Sequence, residues 1–250
     1  MTTPHLLEAR NLEIRFGGVI AANDVSLHVN RGQNMAIIGP NGAGKTTFLN
    51  ICTGWLKPTR GQVLLEGRDI TRLSPRDIAR RGVARAFQIP QLFTEHTALE
   101  NLLIAVAARD RLSNPLRDLH RIPERAEMMH MLHMVNCADV AHRQVDELSE
   151  GQRKLIDIAI ALALKPRLLL MDEPTSGVAS SEKFAVMDIL VRALHEAQVT
   201  SVFVEHDMAI VERYADEVAV WAAGDVRLRG APAEILAHPD VIRDVIGEVV

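Results

Sequence analysis

The chain has 250 residues, of which 48% are hydrophobic and 24% charged, and its formal net charge is −4. This composition is typical of globular proteins, and the length is enough for one or two packed cores. The acidic balance argues against a broad nucleic-acid surface, because such a surface needs an excess of clustered Lys and Arg. We interpret the local basic positions Arg80, Arg81 and Arg85 as a solvated helix face.

No apolar run in the sequence approaches the roughly 20 residues that a membrane-spanning helix needs. The polar start MTTPHLLEAR also lacks the apolar core of a secretion signal, so we expect the chain to stay in the cytoplasm. The cysteines Cys52 and Cys137 do not have the spacing of metal ligands, so we expect reduced thiols without a functional role.

The hydrophobic pattern changes along the chain. The first third predicts short β-strands in LLEARNLEIRF, VSLHV, NMAIIG and QVLLEG. From about Ser74 to Lys165 the pattern favours helices, with Ser74 placed to cap PRDIARR and Thr97 in capping-box spacing with Glu100. From Arg167 onward, apolar strands alternate with helical stretches, which indicates a largely parallel sheet covered by helices.

The segment Gly39–Thr47, GPNGAGKTT, matches the pattern GxxxxGK followed by Ser or Thr, between the apolar strand MAII and a helical stretch. Its glycines allow the backbone to curl so that amide N–H groups point inward, and the next helix N-terminus adds positive potential. We therefore predict a triphosphate site in which Lys45 reaches the β and γ phosphates, Thr46 binds Mg²⁺ and Thr47 lies near the α phosphate. The predicted nucleotide contacts in this loop are Gly39, Pro40, Asn41, Gly42, Ala43, Gly44, Lys45, Thr46 and Thr47.

The stretch LLLMDEP predicts a buried strand that ends in two carboxylates, Asp172 and Glu173. Open α/β sheets bind their ligands at the C-terminal ends of the strands. Asp172 suits a Mg²⁺ shell, and Glu173 suits the task of orienting or deprotonating an attacking water. Surface acids at a strand end are the alternative interpretation, and the phosphate loop upstream favours the catalytic one.

The pentapeptide LSEGQ, Leu148–Gln152, places Ser149 and Gly151 at the start of a long apolar helix. A serine at such a position is by itself typical of a helix N-cap. Because the pentapeptide lies shortly before the strand that ends in Asp172, the sequence here resembles the ATP-binding cassette ATPases, whose signature LSGGQ has this position. The resemblance covers essentially the whole chain and rests on several motifs in the same order.

The resemblance implies roles for three further residues. Gln88 in FQIPQLF matches the glutamine-loop residue that links the Mg²⁺ site to the membrane partner, Phe16 in RFGG matches the aromatic that stacks on adenine, and His206 in FVEHD matches the switch histidine at the γ phosphate. Taken singly, they would be a polar loop residue, a core aromatic and a satisfied histidine. The residues implied to face the ATP of a partner subunit are Ser149, Gly151 and Gln152.

Two positions depart from the family pattern. Glu150 replaces the third residue of the signature, which places a carboxylate near a helix start that would receive phosphate from another subunit. Ala179, in TSGVAS, stands where the family usually has an interface aspartate. We expect these changes to affect the subunit interface and the coupling of its sites rather than nucleotide binding.

The stretch GVARAFQIPQLFTEHTALENLLIA and the ending HPDVIRDVIGE resemble ATPase subunits of bacterial uptake transporters for branched-chain amino acids, a group with relatives that handle urea and amides. The resemblance implies two ATPase subunits, two membrane permeases and an extracytoplasmic solute-binding protein, with this chain on the inner face of the cell membrane. Residues 88–101 would dock on a permease helix. Ala179 favours a different ATPase subunit as the partner, with a homodimer as the alternative.

The predicted fold is therefore an α/β phosphate-loop NTPase with a mostly parallel sheet, an antiparallel β subdomain and a helical subdomain in one ATPase domain. Residues 1–88 and 165–250 form the predicted core with the β subdomain, and residues 89–164 form the helical subdomain with the signature.

The predicted reaction converts ATP and water to ADP and phosphate. Its predicted catalytic residues are Glu173, His206 and Gln88, and its predicted Mg²⁺ ligands are Thr46, Gln88 and Asp172. Two other functions stay open: a soluble cassette ATPase in iron–sulfur assembly, translation or DNA repair, and a nucleotide-binding regulator that does not hydrolyse. The first usually has fused cassettes, a coiled-coil insert or a basic surface, and the second would not need the complete catalytic set.

Overall fold

The structure, a computed structural model, describes residues 5–17, 19–110 and 124–246, so residues 247 and 248 of the HPDVIRDVIGE stretch lie outside the described part. The strands are β1 (Leu7–Phe16), β2 (Val19–Val29), β3 (Asn34–Ile38), β4 (Arg60–Leu65), β5 (Arg68–Asp69), β6 (Val83–Ala86), β7 (Leu168–Asp172), β8 (Thr200–Val204), β9 (Glu217–Ala222) and β10 (Asp225–Gly230). The helices are α1 (Lys45–Cys52), α2 (Pro75–Arg80), α3 (Ala98–Arg109), α4 (Arg125–Met134), α5 (Glu150–Ala163), α6 (Lys183–Glu196), α7 (Met208–Tyr214), α8 (Pro232–Leu236) and α9 (Pro239–Val241). A 3-10 turn spans Val145–Glu147, and a π-helical turn spans Ile242–Ile246.

The larger sheet has six strands in the order β10-β9-β3-β8-β7-β6. Strands β9, β3, β8, β7 and β6 are parallel, and only β10 runs antiparallel to its neighbour β9. Every residue of β7 and β8 is buried, as expected for strands that are covered on both faces. Because parallel strands end at one edge of a sheet, the loops that follow β3, β7 and β8 lie together.

The smaller sheet is antiparallel, with the order β2-β1-β4-β5. Its buried residues share one hydrophobic core with helix α1 and with one face of the larger sheet. Leu12 of β1 and Val25 of β2 are fully buried in this core, together with Phe48 and Leu49 of α1. Helix α1 is thus held between the two sheets, which fixes the loop at its N-terminus.

Helices α3, α4 and α5 lie between β6 and β7 in the chain and pack on one another. Leu102, Met128, Leu132 and Ile156 are all fully buried in their common core. The capping box that the sequence predicts at the start of α3 is confirmed, with both of its hydrogen bonds present. None of the helices within the described ranges combines the length and apolarity that crossing a bilayer requires.

Strand β6 corrects the sequence analysis, which assigned this part of the chain to a helical block. Val83–Ala86 pair in parallel with the start of β7, from Val83 opposite Leu168 to Ala86 opposite Met171. Arg80 and Arg81 are exposed as expected, but Arg85 lies on this strand with only 7% of its side chain exposed. A strand of four residues is too short to show its periodicity, and its pairing partner lies far away in the sequence.

Candidate active site

The loop between β3 and α1 needs its glycines because the backbone of the neighbouring strands approaches it closely. Gly39 and Gly44 have φ values of 150° and 108°, a region that side chains disfavour. A Cβ on Gly39 would lie 2.0 Å from the carbonyl oxygen of Trp221, and one on Gly44 would lie 2.0 Å from that of Ala21. The loop is therefore packed against the end of β9 and against β2, and its shape is fixed by the fold.

Lys45, the first residue of α1, places its ammonium group inside this loop. Its Nζ donates hydrogen bonds to the carbonyl oxygens of Gly39 at 2.6 Å and Pro40 at 2.9 Å. Burial lowers the pKa of Lys45, while the nearby carboxylates of Glu173 and Asp172 act in the opposite direction. A buried cation inside a curl of backbone N–H groups is suited to bind a highly charged anion such as a triphosphate.

Asp172, at the end of β7, lies between a hydroxyl group and a buried guanidinium. The Oγ1 atom of Thr46 lies 3.4 Å from Asp172 Oδ1, and Arg85 donates a hydrogen bond of 3.0 Å to Asp172 Oδ2. Arg85 also donates to Asn50 Oδ1. Hydroxyl and carboxylate oxygens are the hard ligands that Mg²⁺ prefers, so Thr46 and the Oδ1 side of Asp172 fit this ion.

Glu173 brings the predicted catalytic side chains together. Its Oε2 accepts a hydrogen bond of 2.7 Å from Gln88 Nε2, and its Oε1 lies 3.2 Å from His206 Nε2. The backbone of Glu173 has a left-handed φ of 50°, which is uncommon outside glycine. Such conformations concentrate at functional sites, where the surrounding structure holds them in place.

A cavity of about 260 Å³ connects these groups. Its lining residues are Phe16, Ala21, Asn41, Gly42, Ala43, Gly44, Lys45, Thr46, Thr47, Glu173 and His206. Gly39 and Pro40 do not line it, but their carbonyl groups hold Lys45. Phe16 leaves 47% of its surface exposed and lines the cavity, so it is accessible to a flat ligand. A second cavity of about 470 Å³, beside Arg76 and Lys165, is lined by none of the predicted catalytic, nucleotide-binding or Mg²⁺-binding residues.

The signature residues lie apart from this cavity, at the start of α5. Ser149 caps the helix by accepting a bond of 3.3 Å from Gln152 N, and Gln152 Oε1 accepts one of 3.1 Å from Ser149 N. A Cβ on Gly151 would meet Val186 at 3.6 Å, so this glycine faces α6. The Cγ atom of Glu150 lies beside Gly177. Glu150 is therefore next to the loop that contains Ala179, the second departure from the family pattern.

Sequence reasoning missed three charged residues near the site: Arg85, Lys154 and Asp157. Lys154 and Asp157 lie on α5 and are only 3% and 7% exposed. Lys154 Nζ donates to the carbonyl oxygens of Gln88 and, at 3.3 Å, Glu173. Asp157 Oδ2 accepts a bond of 3.3 Å from the Phe87 N–H. The available signal was a lysine and an aspartate three residues apart on the apolar face of a helix.

A glycine loop around a buried lysine, with two carboxylates at the end of a parallel strand beside it, defines a phosphate-loop nucleotide-binding ATPase. A family model described as ABC transporter matches residues 22–176. The chain belongs to this family of ATP-binding cassettes. Family membership confirms the family that the sequence motifs predict, the predicted fold class and the predicted class of enzyme.

Curated relatives match nearly the whole chain. The high-affinity branched-chain amino acid transport ATP-binding protein BraF of Pseudomonas aeruginosa is 39% identical over 251 residues, which covers 97% of this chain and 98% of the relative. The corresponding protein LivG of Escherichia coli K12 is 35% identical over 252 residues, with 97% of this chain and 98% of the relative covered. These relatives favour a transporter subunit over a soluble cassette ATPase with another task.

Solved structures agree with this assignment. A nucleotide-free ATP-binding cassette from an ABC transporter is 32% identical, with a TM-score of 0.85 over 96% of this chain and 98% of that one. An ATP-binding cassette in its ADP conformation is also 32% identical, with a TM-score of 0.83 over 95% of this chain and 96% of that one.

Proposed function

We propose that this chain binds ATP and Mg²⁺ in the cavity above helix α1 and hydrolyses ATP to power a bacterial importer of branched-chain amino acids or of related amides and urea. The observation that carries the ATPase part is the carboxylate of Glu173, which Gln88 and His206 hold beside the lysine loop. The names of the curated relatives support the importer and its class of solute.

The proposed phosphate contacts come from the loop before α1, and the proposed Mg²⁺ ligands come from the start of α1 and the end of β7. Lys45 and the backbone N–H groups of residues 39–47 neutralise the phosphates, and Phe16 stacks on the adenine ring. Thr46 and Asp172, with Gln88 close by, would hold Mg²⁺, which would supply positive charge to offset the negative charge that grows in the transition state. Arg85 fixes one oxygen of Asp172, so the other is left directed toward Thr46.

Glu173 and His206 act on the reacting groups. A carboxylate beside the γ phosphate accepts a proton from, or orients, the attacking water, and that positioning supplies most of the catalysis in phosphoryl transfer. Gln88 donates to Glu173 and holds the carboxylate at the cavity. His206 contributes a ring nitrogen that reaches the γ phosphate from the loop after β8.

A second cassette completes the site. The start of α5, with Ser149, Gly151 and Gln152, lies in the proposed helical subdomain of residues 89–164 and away from this chain's own loop. A helix N-terminus favours an anion, so we assign it to the nucleotide of a partner cassette that binds head to tail. The absence of an aspartate at Ala179 supports a different ATPase subunit as this partner.

An exposed apolar patch supports docking on membrane permeases at the inner face of the membrane. Trp55, Ile89 and Phe93 leave 63%, 73% and 56% of their surfaces exposed. Trp55 lines a cavity of about 590 Å³ together with Leu56, Phe87 and Gln91, and Gln91 lies between Ile89 and Phe93 in the chain. Exposed apolar residues around a concave surface are typical of a protein contact site.

Uptake of labelled solute in the source cells tests the proposed function. Cells in which the gene for this chain is deleted are complemented with the wild type, with Glu173→Gln or with Glu212→Gln, which neutralises an exposed carboxylate on α7. We expect the wild type and Glu212→Gln to restore uptake of labelled leucine and Glu173→Gln to restore none. Restoration of urea or acetamide uptake alone would reassign the solute, and full uptake with Glu173→Gln would contradict the proposed mechanism.

A further inference from the structure

Lys154 connects the signature helix to the catalytic residues through their backbone. Its side chain is on α5, is 3% exposed and donates hydrogen bonds to the carbonyl oxygens of Gln88 and Glu173. These are the two residues whose side chains meet at 2.7 Å in the site. Hence one ammonium group holds both ends of the Gln88–Glu173 contact.

The left-handed backbone of Glu173 explains why the hydrogen bond from Lys154 to its carbonyl oxygen matters. The Glu173 N–H donates to Val204 O at 3.0 Å, and the Glu173 carbonyl accepts from Ser176 N at 3.0 Å as well as from Lys154. A strained conformation of this kind persists only where several contacts over-determine it. Among these contacts, the one from Lys154 comes from the helix that carries the signature.

Asp157 fixes the other side of Gln88. It lies one turn further along α5 and accepts the Phe87 N–H at 3.3 Å, while Lys154 holds the carbonyl of Gln88. The Phe87 N–H and the Gln88 carbonyl group, which lie on either side of the Phe87–Gln88 peptide bond, are therefore both bound to one helix. This arrangement sets the direction in which the Gln88 side chain leaves the loop.

We propose that Lys154 is a positioning residue for ATP hydrolysis, which makes the placement of Glu173 depend on the placement of the signature helix. The inference rests on the proposed function. Lys154 lies in the second turn of the helix that Ser149 caps. When the start of this helix binds the nucleotide of a partner cassette, the position that the helix takes thereby sets the position of this chain's own catalytic carboxylate.

Steady-state kinetics of the full chain with Mg-ATP test the role of the ammonium group. Lys154→Met should lower kcat about tenfold, the scale of a small misplacement of a catalytic group, with KM within about twofold of the wild type. Lys154→Arg keeps a cationic donor and should recover most of the rate. The control Arg109→Met removes a cation that donates to Ala163 O at 2.7 Å, at the far end of the same helix, and should leave kcat unchanged.

A double-mutant cycle with Glu173→Gln then separates positioning from general damage. If Lys154 acts through Glu173, Lys154→Met adds no further loss to the single-turnover rate of Glu173→Gln. If the double variant loses rate by the product of the two single losses, the two residues act independently and the inference is overturned. An Arg109→Met variant as slow as Lys154→Met would also overturn it. A Glu173→Gln chain with the full wild-type rate would instead refute the proposed function.

Asp157→Ala provides a second arm for the case in which Lys154→Met does not fold. It releases the Phe87 N–H and should lower kcat at unchanged KM, again without a further loss in the Glu173→Gln background. An unchanged kcat in Asp157→Ala, or a loss that multiplies with that of Glu173→Gln, would contradict a clamp on the Gln88 loop.

Discussion

The buried carboxylate of Asp157 makes the stability of the fold depend on pH in a direction opposite to that of most carboxylates. Burial raises the pKa of Asp157 from 3.8 to about 6, although the N–H groups of Phe87 and Gln91 and the charge of Lys154 act against this change. The folded chain therefore binds more protons than the unfolded chain between these values. By linkage, the contribution of Asp157 to stability falls as the pH rises through this window.

Asp157→Asn removes this titration while it keeps an oxygen acceptor for the Phe87 N–H. A pKa that differs by about two between the folded and unfolded chains corresponds to about 3 kcal/mol at high pH. About 1 kcal/mol of this is already present near pH 4.5, so the stability of the variant relative to the wild type should rise by about 2 kcal/mol between about pH 4.5 and pH 7.5.

Urea unfolding of both chains at the two pH values measures this difference. The other carboxylates cancel because both chains carry them, and Asp77→Asn, at the start of α2, serves as a control for the loss of a more exposed carboxylate. A relative stability that is the same at both pH values, or that falls toward high pH, would refute the burial argument.

Three further predictions concern the site and its interface. Arg85→Met removes one partner of the buried pair with Asp172, so we expect the free energy of unfolding to fall by about 3 kcal/mol in urea titrations, and a loss within error of zero would contradict the pair's burial. Lys45→Ala removes the cation inside the loop, so labelled ATP should bind at least about tenfold more weakly, and unchanged affinity would remove the loop from the site. In the Glu173→Gln background, light scattering of the chain alone and mixed with the candidate partner ATPase subunit should show dimers only with Mg-ATP. Ser149→Arg should abolish these dimers while ATP still binds the monomer. Normal dimers with Ser149→Arg would leave Ser149 with the role of a helix cap alone and would contradict its proposed contact with the partner's nucleotide.

The sequence predicts those parts of the site that depend on local geometry. Glycines and a lysine between an apolar strand and a helix can form few structures other than a phosphate loop, and Asp172 ends a strand whose apolar run marks it as buried. Ser149 is read correctly as a cap because capping depends on four consecutive residues.

Long-range pairing accounts for the features that the sequence did not reveal. Strand β6 depends on pairing with β7, more than 80 residues away, so Arg85 could not be placed beside Asp172 from its neighbours. Lys154 and Asp157 are unusual in the sequence only as charged residues on the apolar face of α5. Their contact partners are backbone groups of the distant Gln88 loop, and a single sequence contains no pattern that identifies those partners.

Phosphate release by Glu173→Gln, measured beside ATP binding by the same protein, shows whether the Glu173 carboxylate activates the attacking water. We expect the ATP affinity to stay within a few-fold of the wild type, because Lys45 and the loop are intact. We expect turnover to fall by about 10² or more, the scale of losing a positioned general base. Turnover within a few-fold of the wild type would show that Glu173 does not activate the water, and the assignment of the catalytic site would be wrong.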